Sequence, residues 1–275
     1  MKLTANYHTH TALCGHAVGM TADYLKEAVA YGYSEIGMSD HGPIPRSFMS
    51  KEDYANNWLE RQMDERIFET VYLPDLAHAR SLYGSRLKIR AGLEIEYLAG
   101  HDDYYRHLLT KVEYLLLGVH YFSTPHGLQN SYMPVTKEDI LMYAETVETA
   151  LATGFFKVLV HPDLFLIEYR DERGEWLFDK TAELVSRRIV EASIRHGVPL
   201  EINLGGIRKG RMPGRVDVDY PYPRRAFWNI VEEYPAAKVL FGCDAHRPSE
   251  LADSSIQEGF AFAASFSFPV MTKLD

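Results

Sequence analysis

The chemistry of this sequence is concentrated in its histidines, of which there are 12. Many fall in short polar clusters: His8-Thr9-His10, Cys14-Gly15-His16, Asp40-His41, His161-Pro162-Asp163 and Asp244-Ala245-His246, with Glu94-Ile95-Glu96 and His120 between them. Imidazole and carboxylate together suit zinc, manganese or iron, and this many donors exceed the roughly four to six that a single ion uses. At least two divalent ions are therefore implied. Taken singly, a histidine after a strand is more often hydrogen-bonded or solvated than a ligand. The joint placement argues otherwise, because His8, His10, His16, His41, His120, His161 and His246 all sit at or just beyond the end of an apolar run. The other five, His78, His101, His107, His126 and His196, lie in helical or loop stretches and read as surface residues.

The elements that must position these groups can be read from the same pattern. Seven apolar, β-branched runs, at 3–8, 35–39, 88–94, 113–120, 157–161, 198–203 and 238–243, read as strands. Helical spacing lies between most of them, as in Leu25, Ala28 and Val29 before Gly32, or Ile140, Tyr143, Ala144, Val147 and Leu151 before Gly154. Thr136 with Asp139, and Ser50 with Asp53, resemble helix starts, and Pro74 is expected to end or kink the segment 51–83. Strands alternating with helices predict an α/β fold with a parallel sheet. Seven such units suit a closed or nearly closed barrel, in one domain over 1–275, better than an open doubly wound sheet. In such a barrel the strand C-terminal ends carry the chemistry, and six of the seven ends bear metal-competent residues. On an extended strand i and i+2 share a face, so His8 with His10, and Asp244 with His246, are expected to converge.

Composition narrows the functions available. A formal net charge of −9 argues against general affinity for nucleic acid or anionic membranes. Cys14 and Cys243 cannot build a disulfide framework and read as non-ligands. The first residues lack the apolar core of a signal peptide, and no window holds 18 consecutive apolar residues, so a soluble cytoplasmic protein is expected.

The ordered motifs His8-Thr9-His10, Cys14-Gly15-His16, Ser39-Asp40-His41-Gly42-Pro43, Gly92-Leu93-Glu94, Gly118-Val119-His120, Val160-His161-Pro162-Asp163 and Cys243-Asp244-Ala245-His246 resemble the polymerase-and-histidinol-phosphatase superfamily over residues 8–246. They are most similar to its monofunctional histidinol-phosphate phosphatase branch. The resemblance implies a distorted (β/α)7 barrel holding three divalent ions. One would take His8, His10, Glu94 and Asp244; a second Glu94, His120 and His161; a third His16, His41 and His246, with Glu94 bridging the first pair. Asp40 is then expected to orient a neighbouring histidine, and Glu96 is the one carboxylate that could be confused with Glu94.

A multinuclear site of this kind suits hydrolysis of a phosphate ester by a hydroxide held between two ions. Glu94, Asp244, His246 and Asp40 are the candidate catalytic residues, and Asp40, Asp163 or a metal-bound water are the candidates to protonate the leaving group. After the sixth strand, the segment 205–225 carries six basic residues, Arg208, Lys209, Arg211, Arg215, Arg224 and Arg225, against Asp217 and Asp219. Arg208 is expected to capture phosphate and Asn203 to hydrogen-bond substrate. Tyr121 and Phe122 are placed either to pack on an imidazole ring or within the core. The resemblance points to a small phosphomonoester, L-histidinol phosphate, as substrate. Alternatives are another phosphoesterase acting on nucleotides or small diesters, and a non-catalytic metal-binding module, against which the basic segment speaks.

Overall fold

The computed structural model describes residues 2–56, 59–211 and 220–274. Its strands, in chain order, are β1 (Ala5–Asn6), β2 (Glu35–Met38), β3 (Lys88–Ile95), β4 (Tyr114–Leu117), β5 (Tyr121–Thr124), β6 (Gly127–Asn130), β7 (Phe156–Leu159), β8 (Leu200–Asn203) and β9 (Val239–Gly242). Seven form one parallel sheet in the order β1-β2-β3-β4-β7-β8-β9. The two edges meet at the strand C-terminal ends, where Thr9 bridges Ala245 in parallel and the His10 N–H donates to the Ala245 carbonyl at 2.9 Å. The sheet is thus a nearly closed barrel, and the open doubly wound alternative is ruled out. Each expected strand is present; most are trimmed, β1 to two residues, whereas β3 extends one residue further than expected.

Residues of opposite parity divide the apolar side chains into two sets. Ala5, Tyr7, Tyr114, Leu116, Val158, Val160 and Leu240 fill the barrel interior, with Met271 and Leu274 packed against them. There the Met271 N–H donates to the Val239 carbonyl at 2.7 Å and the Leu274 N–H to the Tyr7 hydroxyl at 3.1 Å. The other face of the strands, Ile36, Met38, Leu93, Ile95, Leu115, Leu117, Leu200 and Ile202 among them, packs with the helices in the outer core. Apolar material fills the lower barrel, so polar side chains are left to its upper end.

The helices begin and end where local chemistry directs. Thr136 and Asp139 form a capping box at the start of Lys137–Ala152. Thr21–Tyr31 stops at Gly32 and Lys180–His196 at Gly197, both glycines left-handed. Pro74 does not interrupt its segment as expected. The chain runs from Glu65–Ile67 through a π-helical turn, Phe68–Tyr72, straight into Leu73–Tyr83, with Pro74 in the first turn of the last helix. The widened turn absorbs the missing proline donor that a regular helix would require. The antiparallel hairpin β5–β6 was not anticipated. It returns the chain over the barrel mouth, where the Ser131 N–H donates to the His120 carbonyl at 2.8 Å. Among the described residues no helix is long and apolar enough to cross a membrane.

The interior packing gives a test of this core. A Cβ on Gly92 would lie within the Tyr114 ring, which also crosses Gly37 and whose hydroxyl donates to the Tyr7 carbonyl at 2.7 Å. Gly92→Ala is expected to destabilise the fold by about 1–3 kcal/mol, the usual cost of overpacking, measured as a lowered urea midpoint.

Candidate metal centre

Two histidines leave β1 with ring centroids 5.0 Å apart. Their Nε2 atoms both face Oε2 of Glu94, His8 at 3.1 Å and His10 at 3.3 Å, and His41 Nδ1 reaches the same oxygen at 3.3 Å. The other oxygen, Oε1, faces His161 Nε2 at 2.8 Å and His120 Nε2 at 3.4 Å. One carboxylate therefore carries an imidazole set on each oxygen. Donor atoms of His8, His10 and Glu94 lie within 4.8 Å of one another, as do those of Glu94, His120 and His161, and those of His16, His41 and His246. Asp244 joins the first set to the third: its Oδ1 lies 3.4 Å from His10 Nε2, 3.6 Å from His8 Nε2 and 3.4 Å from His246 Nδ1. The first two sets are buried, whereas His16 is exposed and His246 half-buried at the mouth.

The backbone is bent to achieve this. Asp244 (φ 46°) and His161 (φ 32°) are the non-glycine residues with positive φ among those described. Such conformations cost of order 1–3 kcal/mol each and persist where the surroundings enforce them. Asp244 and His246 thus converge across a left-handed residue, not through the strand alternation expected of them. Two glycines leave room for the carboxylates. A Cβ on Gly118 would collide with Glu94 Oε1, and one on Gly205 would stand 2.5 Å from Asp244 Oδ2.

The donor set fits divalent cations. Buried nitrogens of His8 (Nε2), His10 (Nδ1 and Nε2), His41 (Nδ1) and His161 (Nδ1) have no hydrogen-bond partner. Unpaired buried polar atoms are costly unless something satisfies them. In four rings of the cluster Nδ1 is anchored: His8 on Glu201 Oε1 at 2.9 Å, His120 on Glu96 Oε1 at 2.8 Å, His16 on the Cys14 carbonyl at 3.1 Å and His246 on the Asp244 carbonyl at 3.2 Å. Fixing Nδ1 selects the tautomer and aims Nε2, which is how histidine–metal sites are preorganised. Glu96 and Glu94 therefore hold opposite nitrogens of the same His120 ring, in different roles. Glu201 was missed in the sequence. It also accepts from the His161 N–H at 3.1 Å and the Asn203 amide at 2.8 Å, so one carboxylate braces two histidine positions. Its only sequence signal is a charged residue inside an apolar strand run.

Electrostatics follow the same arrangement. Burial opposes charge on His8 and His10, but Glu201 and Glu94 raise the first well above its ordinary range, and the adjacent Asp244 and Glu94 carboxylates lift the second to about 9. Burial alone would raise Glu94, yet the charges of His8, His120 and His41 hold it well below the usual carboxylate range. His246 is pushed down to about 3 by burial and then by the neighbouring His10 charge.

Several expected residues take other parts. Asp40 lies 3.8 Å from His10 Nδ1, beyond hydrogen-bond reach. Its carboxylate is bound by the Thr11 N–H at 3.0 Å and by the Thr11 hydroxyl, so it stiffens the His-Thr-His turn instead of touching substrate. Asp163 is equally buried, accepting from the Arg224 N–H. Neither carboxylate lines the cavity. Asn203 is fully buried; its amide oxygen caps the short helix Leu204–Arg208 through the Gly206 N–H and its nitrogen donates to Glu201, so both ends of the amide brace the scaffold. Arg208 does line the cavity, but its guanidinium donates to the Cys243 and Asp244 carbonyls and to the Ser255 hydroxyl, which steadies the bent strand end. Phe122 is core, packed edge-on against Tyr143, while Tyr121 lines the cavity. Of the basic segment, Arg215, Asp217 and Asp219 lie outside the described residues. Of the five remaining histidines, four are exposed and His101 stacks on Phe48, at 3.6 Å between centroids.

Above the histidines opens a cavity of about 820 Å³. Its wall includes Tyr132, stacked over His120 at 6.0 Å, Tyr222, edge-on to His161 at 6.0 Å, and Lys209, whose Nζ lies 6.0 Å and 5.9 Å from those two tyrosine rings. Cys14, buried and free and expected to be a non-ligand, also lines it. Burial and the nearby Asp40 charge push its thiol up to about 12. Cys243 lies apart, 3.4 Å from the Tyr33 hydroxyl.

A parallel β/α barrel with carboxylate-linked imidazole sets at its C-terminal mouth defines a metal-dependent enzyme of the barrel class. The chain belongs to the PHP domain family, whose model matches residues 6–204. It is 28% identical over 264 residues to a Deinococcus radiodurans protein named as a probable histidinol-phosphatase, covering 93% of this chain and 88% of that one. It is 24% identical over 278 residues to the histidinol-phosphatase of Bacillus subtilis, covering 94% and 96%. The same fold occurs in the histidinol phosphate phosphatase of Lactococcus lactis, solved with zinc, L-histidinol and phosphate, at a TM-score of 0.71 and 15% identity over the whole of both chains.

Two outcomes are expected from this geometry. Glu201→Gln should keep the fold but weaken divalent-cation affinity by about 10–100-fold, by chelator competition. Because His10 carries a proton below about 9, a cation must displace it. Apparent affinity should therefore rise about tenfold per pH unit for each proton displaced as pH approaches 9, with matching proton release in weakly buffered solution.

Proposed function

We propose that the protein hydrolyses L-histidinol phosphate to L-histidinol and phosphate, using three divalent ions of the zinc, manganese or iron type. The observation that carries this reading is the single carboxylate, Glu94, with imidazoles on both oxygens, opening into a cavity also lined by Lys209, which has no ion pair among the described residues. The named relatives in Bacillus subtilis and Deinococcus radiodurans support the substrate. So does the Lactococcus lactis enzyme bound to L-histidinol and phosphate.

His8, His10, Glu94 and Asp244 would hold one ion, Glu94, His120 and His161 a second, and His16, His41 and His246 a third. When bound, such ions acidify water and neutralise phosphoryl oxygens. The chain supplies the rest. Glu201 and Glu96 keep the imidazole rings of His8 and His120 aimed. Arg208 holds the carbonyls around Asp244, so that its carboxylate stays turned toward His8 and His10. Lys209 is the cation suited to capture the phosphate, since it lines the cavity, has no carboxylate within ion-pair distance among the described residues, and lies beside two tyrosine rings. Tyr132 and Tyr222 give an aromatic wall against which an imidazole can pack while water is excluded.

The direct test is purified, manganese- or zinc-loaded protein given L-histidinol phosphate, an aryl phosphate and a nucleotide diester. Preference for histidinol phosphate is expected, and much faster hydrolysis of the diester would overturn the reading in favour of a nucleotide phosphoesterase. Asp244→Asn, which tolerates positive φ as aspartate does, should fold normally yet lose metal and activity. Full metal occupancy in that variant would remove Asp244 from the ligand set. Lys209→Met should raise KM for the phosphate substrate about tenfold or more with a smaller change in kcat, as loss of uniform phosphate binding requires. Unchanged kinetics would return Lys209 to an exposed, solvated role.

A further inference from the structure

Cys14 stands apart from the ligand sets above, yet it is not detached from them. It closes the short turn Ala12–Cys14, is 1% exposed, and lines the cavity. Its Sγ and one donor atom each of His10 and His246 lie within 4.8 Å of one another. Both ring nitrogens of His10 are buried and without a hydrogen-bond partner, which is an independent sign that this corner is built for a ligand. The His10 and His246 rings stack at 4.3 Å between centroids, so a cation seated between sulfur and either ring is close to both.

We propose that His10, Cys14 and His246 form a site for a thiophilic divalent cation, and that its occupation disables the neighbouring histidine sets. One thiolate with two imidazoles is a donor set that soft or borderline-soft ions prefer, whereas manganese favours oxygen. The step is a ligand exchange: a metal–sulfur bond forms, the thiol proton leaves to solvent, and no oxidation state changes. The cost falls on shared ligands. His10 belongs to the set around Glu94 and His246 to the set with His16 and His41, so a cation held by sulfur draws one imidazole from each. Manganese would leave the sulfur free; cadmium, or zinc in excess, would take it.

Cadmium added to the manganese-loaded protein is the probe. The expected result is an ultraviolet sulfur-to-cadmium charge-transfer band that saturates at one equivalent, accompanied by loss of phosphatase activity. The band should vanish in Cys14→Ser and persist in Cys243→Ser. A correlation experiment with cadmium-113 on the unmodified chain reads the same site without a variant, and should link the bound ion to the cysteine β-protons of Cys14. A band unchanged by Cys14→Ser, or cadmium coupled to no cysteine proton, overturns the proposal. These spectroscopic readouts stand even if histidinol phosphate is not the substrate.

Discussion

The Glu94 carboxylate is the interaction on which the rest of the site depends. Its two oxygens face different imidazole sets, His8, His10 and His41 on one and His120 and His161 on the other, inside a barrel mouth from which water is largely excluded. A buried anion has to be compensated, and the protein surrounds this one with groups that can either carry protons or bind cations. That dual capacity explains the split in titration, with His10 raised and His246 depressed within one stack of rings. Protons and metal ions compete for the same nitrogens.

Much of what touches Glu94 is in turn held from behind. Glu201 and Glu96 fix ring nitrogens, Arg208 ties down the carbonyls around Asp244, Asp40 stiffens the turn between His10 and Thr11, and Asn203 joins Glu201 to a helix start. The glycines at 118 and 205 leave the volume that the carboxylates occupy. The conformational cost is visible at Asp244 and His161, whose left-handed backbones are sustained by the bridge between Thr9 and Ala245 and by the Glu201 contact to the His161 N–H. Rigid strands below and a bent rim above divide the work, with stability in the apolar lower barrel and chemistry at its upper edge.

The seven strand runs were legible because parallel strands buried on both faces read as near-continuous apolar stretches, and the histidines were legible because each interrupts such a stretch at its end. The hairpin Tyr121–Asn130 was not, since its short strands lack an apolar period and it is held mainly by its own pairing. Arg208 and Asn203 illustrate a different limit. Their types suited substrate binding, but the carbonyls that occupy Arg208 come from a strand more than thirty residues away, and no local pattern announces them. Lys209, the next residue, reaches the cavity with no carboxylate in ion-pair range among the described residues.

What the sequence determined by itself was the inventory and its approximate height in the barrel: which residues could bind cations, and that they gather at strand C-terminal ends, because apolar periodicity is local and survives without coordinates. Tertiary structure alone decided the partnerships. Only closure of the barrel brings β1 against β9 and places Glu201, 193 residues away in sequence, against the His8 ring it anchors. Only the left-handed turn at Asp244 swings its carboxylate onto the same centre. Hydrogen bonds and coordination depend on ångström distances between segments remote in the chain, and those distances do not exist until the sheet has closed.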